Sequence, residues 1–418
     1  MKAQPFDVMQ YFYSLVQPPL IRCCIRFDRK LEQNRLRTAL ERLLIVYPIL
    51  KCTYHSNKRE WIEADFSESD YLSIVTAESG DEKVIREKLL STLEIGIDPP
   101  IRFWVMGGQE KDTLCVIVSH LVCDGRGFEQ LLYAFATFYS TVDTVERMDN
   151  DKRICRRRDF RQITDQFMFH EKRKILHSKA LIPAGDTQRA ILLAGDSANS
   201  IILMRTVSAE MFLRVHSFAK HYHASINDMF LTAYARSLHE QFGWNDITIP
   251  SPVDLRRFGG EKTKESVCNL TGNYYCKVQI GQQETFVTTL QKVSAQMRMQ
   301  KEGNECLKGP MLFHLLYKIM PYAILKKVFF RISPVPVTSY TNLGNIDETR
   351  LHFKGTEIED AFLATAMKPV PYFQLTVSTF RNQCTLTSCT CAEGKNLEVI
   401  QGLMDRIIIQ IKDVIATK

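Results

Sequence analysis

The most constraining feature of this chain is an apolar run that leads into a histidine-containing turn and then into an amphipathic helix. Residues 114–118 read Leu-Cys-Val-Ile-Val and predict a buried strand. His120 follows at the strand's end and Asp124 comes four residues later, so an imidazole that can act as a base near neutral pH shares a turn with a carboxylate. Gly125 and Gly127 are expected to permit a tight turn. Apolar residues then recur at helical spacing: Phe128, Leu131, Leu132, Phe135, Phe138 and Tyr139.

The length of 418 residues suits two domains of roughly 200 residues each. Residues 181–186, Leu-Ile-Pro-Ala-Gly-Asp, break the helical pattern and resemble a linker. We therefore predict domains at 1–180 and 181–418. The N-terminus has no signature of a secretory signal, and we expect a cytoplasmic protein.

Secondary structure can be predicted for much of the chain. Strands are expected at 20–27, 49–54 and 101–106, and helices at 31–47 and 82–93. In the second half, Ser225 and Asp228 fit a capping box at the start of a helix that ends before Gly243. The chain closes with a strand hairpin and an amphipathic helix. Alternating strands and helices of this kind predict an α/β (α+β) fold.

A largely apolar stretch at 311–330, interrupted by Pro321, suggests a membrane segment by its length. His314, Lys318, Lys326 and Lys327 instead favour a buried or tunnel-lining helix, and we predict no stable membrane span.

Twelve cysteines are scattered through the chain without zinc-like spacing, so we expect reduced thiols and no metal site. Charge is concentrated in one place. Residues 151–180 hold ten Lys/Arg and four Asp/Glu, which accounts for most of the net charge of +7. A solvated helix face would explain this basic segment, and so would contact with the phosphate of coenzyme A or with an acidic carrier protein. Sparse aromatic residues argue against a nucleic-acid partner.

Two further segments combine charged or polar side chains with glycine-containing turns, as candidate functional sites often do. In residues 248–258, a predicted strand delivers Asp254 and Arg256 before a Gly-Gly turn, and Thr271-Gly272-Asn273 follows downstream. Residues 335–345 place Ser339 in a polar strand before an Asn-Leu-Gly turn formed by Asn342 and Gly344.

The His-x-x-x-Asp-Gly pattern, with these strings in the same order, resembles the superfamily of chloramphenicol acetyltransferase, condensation domains and alcohol acyltransferases. The resemblance covers about residues 36–410. It implies two chloramphenicol-acetyltransferase-like halves, each a mixed sheet with flanking helices, arranged in a V with a tunnel at their interface. Two features depart from the family. Ser119 replaces the first histidine of the condensation-domain motif, and Asn342-Leu343-Gly344 replaces the plant-type aspartate-phenylalanine-glycine-tryptophan-glycine motif.

The resemblance also implies roles for individual residues. His120 would be the general base that activates a hydroxyl or amine acceptor for attack on a thioester. Asp124 would anchor the loop by pairing with an arginine, with Arg256 the first candidate and Arg257 or Arg22 behind it. Gly125 would serve the turn, and Asp254, Asn342 and Gly344 would complete the motifs. Ser339 would be the hydrogen-bond donor to the oxyanion.

Three hypotheses follow from the resemblance. The first is an acyltransferase that uses acyl-CoA as co-substrate, with no permanently bound cofactor, and a small-molecule acceptor, as alcohol acetyltransferases do. The second is a freestanding condensation domain that takes its acyl group from a carrier-protein thioester. The third is a non-catalytic thioester-binding protein.

Overall fold

The computed structural model describes residues 1–76, 81–143, 157–178, 199–332 and 335–416. The chain forms two compact units, and each is assembled from separate chain segments rather than from one half of the sequence. The predicted boundary at residue 180 and the linker at 181–186 lie outside the described residues. The first unit comprises Met1–Phe167, Asp254–Leu270 and Leu343–Met367; the second comprises Met168–Val253, Thr271–Asn342 and Lys368–Lys418.

Helices and strands alternate along the described residues. The helices are α1 (Pro5–Ser14), α2 (Gln33–Val46), α3 (Glu68–Tyr71), α4 (Glu82–Leu90), α5 (Gly125–Ser140), α6 (Arg161–Thr164), α7 (Phe169–His177), α8 (Ala209–His221), α9 (Ile226–Phe242), α10 (Phe286–Glu302), α11 (Lys308–Ile319), α12 (Tyr322–Ile332) and α13 (Gly394–Ala416). The strands are β1 (Leu20–Phe27), β2 (Cys52–His55), β3 (Glu60–Glu63), β4 (Leu72–Thr76), β5 (Ile101–Gly107), β6 (Asp112–Ser119), β7 (Ser200–Val207), β8 (Asp246–Asp254), β9 (Thr271–Gln279), β10 (Thr338–Asn345), β11 (Ile358–Ala364), β12 (Phe373–Phe380) and β13 (Gln383–Cys391).

The first unit is built on a five-stranded sheet in the order β11-β1-β6-β5-β4. β4 and β5 are parallel, and the pairs of β6 with β1 and with β5 are antiparallel. All eight residues of β6 are buried, as its β-branched and small apolar composition predicts for a central strand. Strand β6 ends at Ser119, opposite Leu20, and this register fixes where the following residue, His120, leaves the sheet.

The second unit contains a four-stranded sheet in the order β10-β12-β13-β7. Helix α9 is almost entirely buried at its centre and packs against α10 and α13. Its N-terminus has the predicted capping box: Ser225 Oγ accepts from the Asp228 N–H, and the Asp228 carboxylate accepts from the Ser225 N–H. Gly243, at φ +68°, ends the helix in the left-handed conformation that favours glycine.

Several predictions of local structure were wrong. The strand expected at 49–54 begins only at Cys52, because Pro48 starts a 3₁₀ turn, Pro48–Lys51. The apolar stretch at 311–330 is two helices, α11 and α12, and it is not wholly buried: Ile319 and Ile324 are half exposed or more. Among the described residues, no helix is both long and apolar enough to cross a membrane.

Candidate active site

His120 is the first residue beyond β6 and lies half-buried at the surface of the first unit. Its backbone N–H donates to the carbonyl of Pro19 at 2.6 Å, which ties the end of β6 to the start of β1. The Val122 N–H then donates to the Ser119 carbonyl, so the chain turns sharply after the strand. The predicted position of the imidazole, at the C-terminal end of a buried strand, is therefore confirmed.

Asn269 binds the imidazole. Its Oδ1 lies 3.1 Å from Nδ1 of His120. Its Nδ2 donates to two backbone carbonyls of the same loop, that of His120 at 2.9 Å and that of Leu121 at 3.2 Å. Asn269 is 2% exposed and belongs to the first unit, so a buried amide holds both the ring and the backbone of the histidine.

These contacts determine which ring nitrogen carries the proton. Carbonyl oxygens only accept hydrogen bonds, so the Asn269 side chain must turn its NH₂ toward them and its Oδ1 toward the ring. Oδ1 is also only an acceptor, so Nδ1 of His120 must be the donor. A neutral imidazole protonated on Nδ1 carries its basic lone pair on Nε2. The pair therefore selects the tautomer in which Nε2 can take a proton.

Asp124 caps helix α5 from a buried position. Its Oδ1 accepts from the N–H of Gly127 at 2.8 Å, and its Oδ2 accepts from the N–H of Leu270 at 2.7 Å. Arg256 pairs with both carboxylate oxygens at 3.0 Å, as the first candidate partner predicted from the sequence. Burial alone would raise the pKa of the Asp124 carboxyl, but the Arg256 charge and these hydrogen bonds outweigh burial and hold that pKa below its usual value.

Arg256 is 1% exposed, and all three nitrogens of its guanidinium donate hydrogen bonds. Besides Asp124, it donates to the carbonyls of Ser266 (3.2 and 3.0 Å) and Cys268 (2.7 Å) and to the Asp254 carboxylate (2.9 Å). Arg256 thus fixes the segment 266–270, which carries Asn269, against the loop that carries His120. Arg22, the last candidate partner, is buried elsewhere and donates to backbone carbonyls, while Arg257 is exposed.

Arg158 makes a third connection between the same two segments. It donates to the carbonyls of Val122 at 2.6 Å and Val267 at 2.9 Å, and it pairs with Asp7 at 2.8 Å. The sequence placed Arg158 in a solvated or anion-binding basic segment, and that interpretation was wrong for this residue. Arg157 and Arg161 pair with Asp159. Residues 151–156 and 179–180 lie outside the described residues.

The two glycines of the turn have a different purpose from the one predicted. Both lie in the first turn of α5, and neither has a positive φ. A Cβ on Gly125 would lie 2.4 Å from Cδ2 of Leu343. A Cβ on Gly127 would lie 2.7 Å from Cβ of Cys123 and 3.2 Å from the carbonyl oxygen of Cys268. Gly127 is therefore required by close packing against the backbone of Cys268, whereas at Gly125 the flexible end of the Leu343 side chain could move away from an added methyl group.

Gly127→Ala is expected to destabilise the protein by about 1–3 kcal/mol, because the added methyl group would press on backbone that cannot rotate away. Urea denaturation followed by circular dichroism measures the loss. Gly309→Ala is the matched control, since nothing lies within 4 Å of the place its methyl group would occupy and alanine favours the helix. If both variants unfold at the same urea concentration, the packing explanation fails.

The remaining predicted residues are divided between the units. Asp254 accepts from the Arg256 N–H at 3.0 Å beside the site, and Gly344, with φ +83°, also belongs to the first unit. Ser339 and Asn342 belong to the second unit. Ser339 is buried in β10, and the Asn342 side chain donates to Oδ1 of Asn227 at 3.3 Å.

The fold is that of condensation domains and of an acetyltransferase, as predicted. The first condensation domain of the CDA synthetase matches with a TM-score of 0.67 at 12% identity, covering 98% of this chain and 95% of that chain. The TRI3 trichothecene 15-O-acetyltransferase of Fusarium sporotrichioides matches with a TM-score of 0.69 at 10% identity, again covering 98% and 95%.

Similarity in sequence is more limited. A polypeptide of mycosubtilin synthase from Bacillus subtilis is 21% identical over 252 residues, which are 58% of this chain and 9% of that protein. The chain therefore spans under a tenth of this relative's length. No family model matches the sequence.

Proposed function

We propose that this protein transfers an acyl group from a thioester to a hydroxyl or amine acceptor, with His120 as the general base. The observation that carries the proposal is the Asn269–His120 pair, whose hydrogen bonds support a tautomer with its basic lone pair on Nε2. The fold shared with condensation domains and an acetyltransferase supports the reaction class.

In the proposed reaction, Nε2 takes the proton of the acceptor as its oxygen or nitrogen attacks the thioester carbonyl carbon. The resulting tetrahedral oxyanion needs a hydrogen-bond donor, for which Ser339 stays the proposed residue on the family resemblance alone. Collapse of the intermediate breaks the carbon–sulfur bond, and the imidazolium returns the proton to the leaving thiolate. No covalent acyl-enzyme is required, because the thioester is already activated and both substrates react while bound together.

The proposed donor is acyl-CoA. A carrier-protein thioester is the second candidate, and the similarity to the mycosubtilin synthase polypeptide supports it. A non-catalytic thioester-binding role is less well supported, since such a role would not require a selected histidine tautomer.

A thiol-release assay tests the function and separates the donors. The protein is incubated with acyl-CoAs of graded chain length and with panels of small alcohols and amines, in the absence of carrier protein. We expect release of free thiol that depends on both substrates. Release only from an acylated carrier protein would identify the second donor, and no release from either donor, with binding of acyl-CoA retained, would indicate the non-catalytic role.

A further inference from the structure

Helices α11 and α12 of the second unit are connected by Met320 and Pro321. The side chains around this joint are largely apolar, and several of them are exposed. The side chains of Phe313 and Phe329 pack edge to face at 5.6 Å and hold the helices together, while Met311 and Leu325 are buried. On the other side of the joint the apolar residues face solvent. Ile319 at the end of α11 is 66% exposed, and four further residues around it are exposed: Leu315, Pro321, Ala323 and Ile324.

The charges around this joint are of one sign. No Asp or Glu occurs between residues 306 and 346, a stretch that contains five Lys/Arg. Ile324, Lys327 and Arg331 follow one another at helical spacing along α12, and all three are exposed. Lys318 is exposed beside Ile319 on α11. Within the described residues, Lys318, Lys326, Lys327 and Arg331 form no ion pair with a carboxylate.

Helix α7, a neighbour of α11, also carries exposed apolar residues and basic residues. It packs against α11, and Lys308 donates to the carbonyl of Ser178 at its C-terminal end. Phe169 at its first position is 82% exposed, the preceding Met168 is 69% exposed, and residues 172–174 read Lys-Arg-Lys. We call α7, α11 and α12, with Met168, the basic–apolar surface.

Exposed apolar residues are concentrated on this surface. Of the fourteen large hydrophobic side chains exposed among the described residues, six lie on these three short helices or at their ends. Scattered single exposed residues are normal on any protein, but a cluster rimmed by cations is typical of an interaction site. The six are Met168, Phe169, Leu315, Ile319, Ile324 and Ile332.

We propose that the basic–apolar surface docks the protein on an anionic lipid bilayer. The aliphatic joint of α11 and α12 would enter the boundary between headgroups and acyl chains, and the lysines and arginines of the flanking turns would lie near lipid phosphates. A bilayer fits the observations better than a protein does, because the surface offers apolar side chains and cations over three helices with few carboxylates to specify an orientation. This proposal does not depend on the acyl-transfer function.

Sedimentation with vesicles tests the proposal. The wild-type protein is expected to bind phosphatidylcholine vesicles that contain about 30% phosphatidylserine, to bind pure phosphatidylcholine far less, and to dissociate as salt screens the charges. Lys326→Gln with Lys327→Gln should weaken binding by about 25-fold, the product of about fivefold for each of the two charges removed. Ile319→Ser with Ile324→Ser should weaken it at least tenfold by removing the inserted apolar area.

Matched variants of the same unit keep the test specific. Leu213→Ser with Ile409→Ser removes two similarly exposed apolar residues from α8 and α13, and Lys220→Gln with Lys412→Gln removes two exposed charges there. Both controls should bind vesicles like the wild type, and thermal melts should show all variants folded. Equal binding to charged and neutral vesicles, or unchanged binding by the joint variants, would overturn the proposal. So would binding of an acidic acyl carrier protein through Lys326 and Lys327 without any binding to vesicles.

Discussion

Replacement of His120 by alanine is expected to lower the rate of thiol release by about 10²–10⁴-fold, which is the usual contribution of a positioned general base. Without Nε2, the acceptor must lose its proton to water as it attacks the thioester. The substitution removes one half-buried ring and leaves the Asn269 contacts to the backbone carbonyls of the loop in place. The KM for the acyl donor should therefore change much less than kcat.

Two comparisons make this result informative. His216→Ala removes an exposed histidine from helix α8 and should retain the wild-type rate. Circular dichroism and thermal melts of the His120→Ala protein should match those of the wild type, so that a low rate is not a folding defect. Thiol release that stays within a factor of about three of wild type would contradict the proposed base, since a general base contributes far more.

The part of the site that is contiguous in sequence could be predicted. The buried strand β6, the position of His120 just beyond it and the helix α5 all follow from apolar periodicity within about 30 residues. The pairing of Asp124 with an arginine was predicted from the family resemblance, with Arg256 ranked before Arg257 and Arg22, and it agrees with the need of a buried carboxylate for a partner. The structure shows that Arg256 is that partner.

Asn269 shows why the rest could not be predicted. It lies 149 residues from His120, and nothing in local periodicity connects the two. The available signal was a polar residue within the apolar string Val267-Cys268-Asn269-Leu270, which would have indicated a buried amide with partners. Identifying the imidazole as one of them depends on the three-dimensional fold.

Counts of charged and apolar residues gave wrong predictions of burial, because such counts do not distinguish buried side chains from exposed ones. Arg158 lies in the most basic segment of the chain, yet its guanidinium is buried against Asp7 and two carbonyls of the site. The apolar residues of α11 and α12 predicted a buried or tunnel-lining helix, and Ile319 and Ile324 show that the segment is not wholly buried. Composition shows which side chains the chain contains, and packing decides which of them are buried and which are exposed.

The second large effect is expected at Arg256. Arg256→Met should lower the free energy of unfolding by about 3–5 kcal/mol, because it leaves the buried Asp124 carboxylate without its counter-charge. It also removes the donors to the carbonyls of Ser266 and Cys268, so the segment that carries Asn269 should loosen. Urea denaturation of both proteins gives the difference. Arg257→Met is the control: that side chain is exposed over the ring of Phe258, and its loss should cost at most about 1 kcal/mol.

The pH dependence of this difference tests its cause. In the wild type the pKa of Asp124 is lowered, so its stabilisation is present above the pKa of an unfolded aspartate, about 3.9, and is lost as pH falls through the folded value. In Arg256→Met, burial without the arginine should raise that pKa, so the carboxylate destabilises the folded state at neutral pH and is relieved once it is protonated. The gap between the two proteins should therefore be wide at pH 7 and narrow toward pH 4. A gap that is independent of pH would mean that lost packing, rather than an unpaired carboxylate, explains the effect. Asp124→Asn in the Arg256→Met background separates the two directly, because an uncharged amide there should recover stability at pH 7 only if the unpaired charge is the cause.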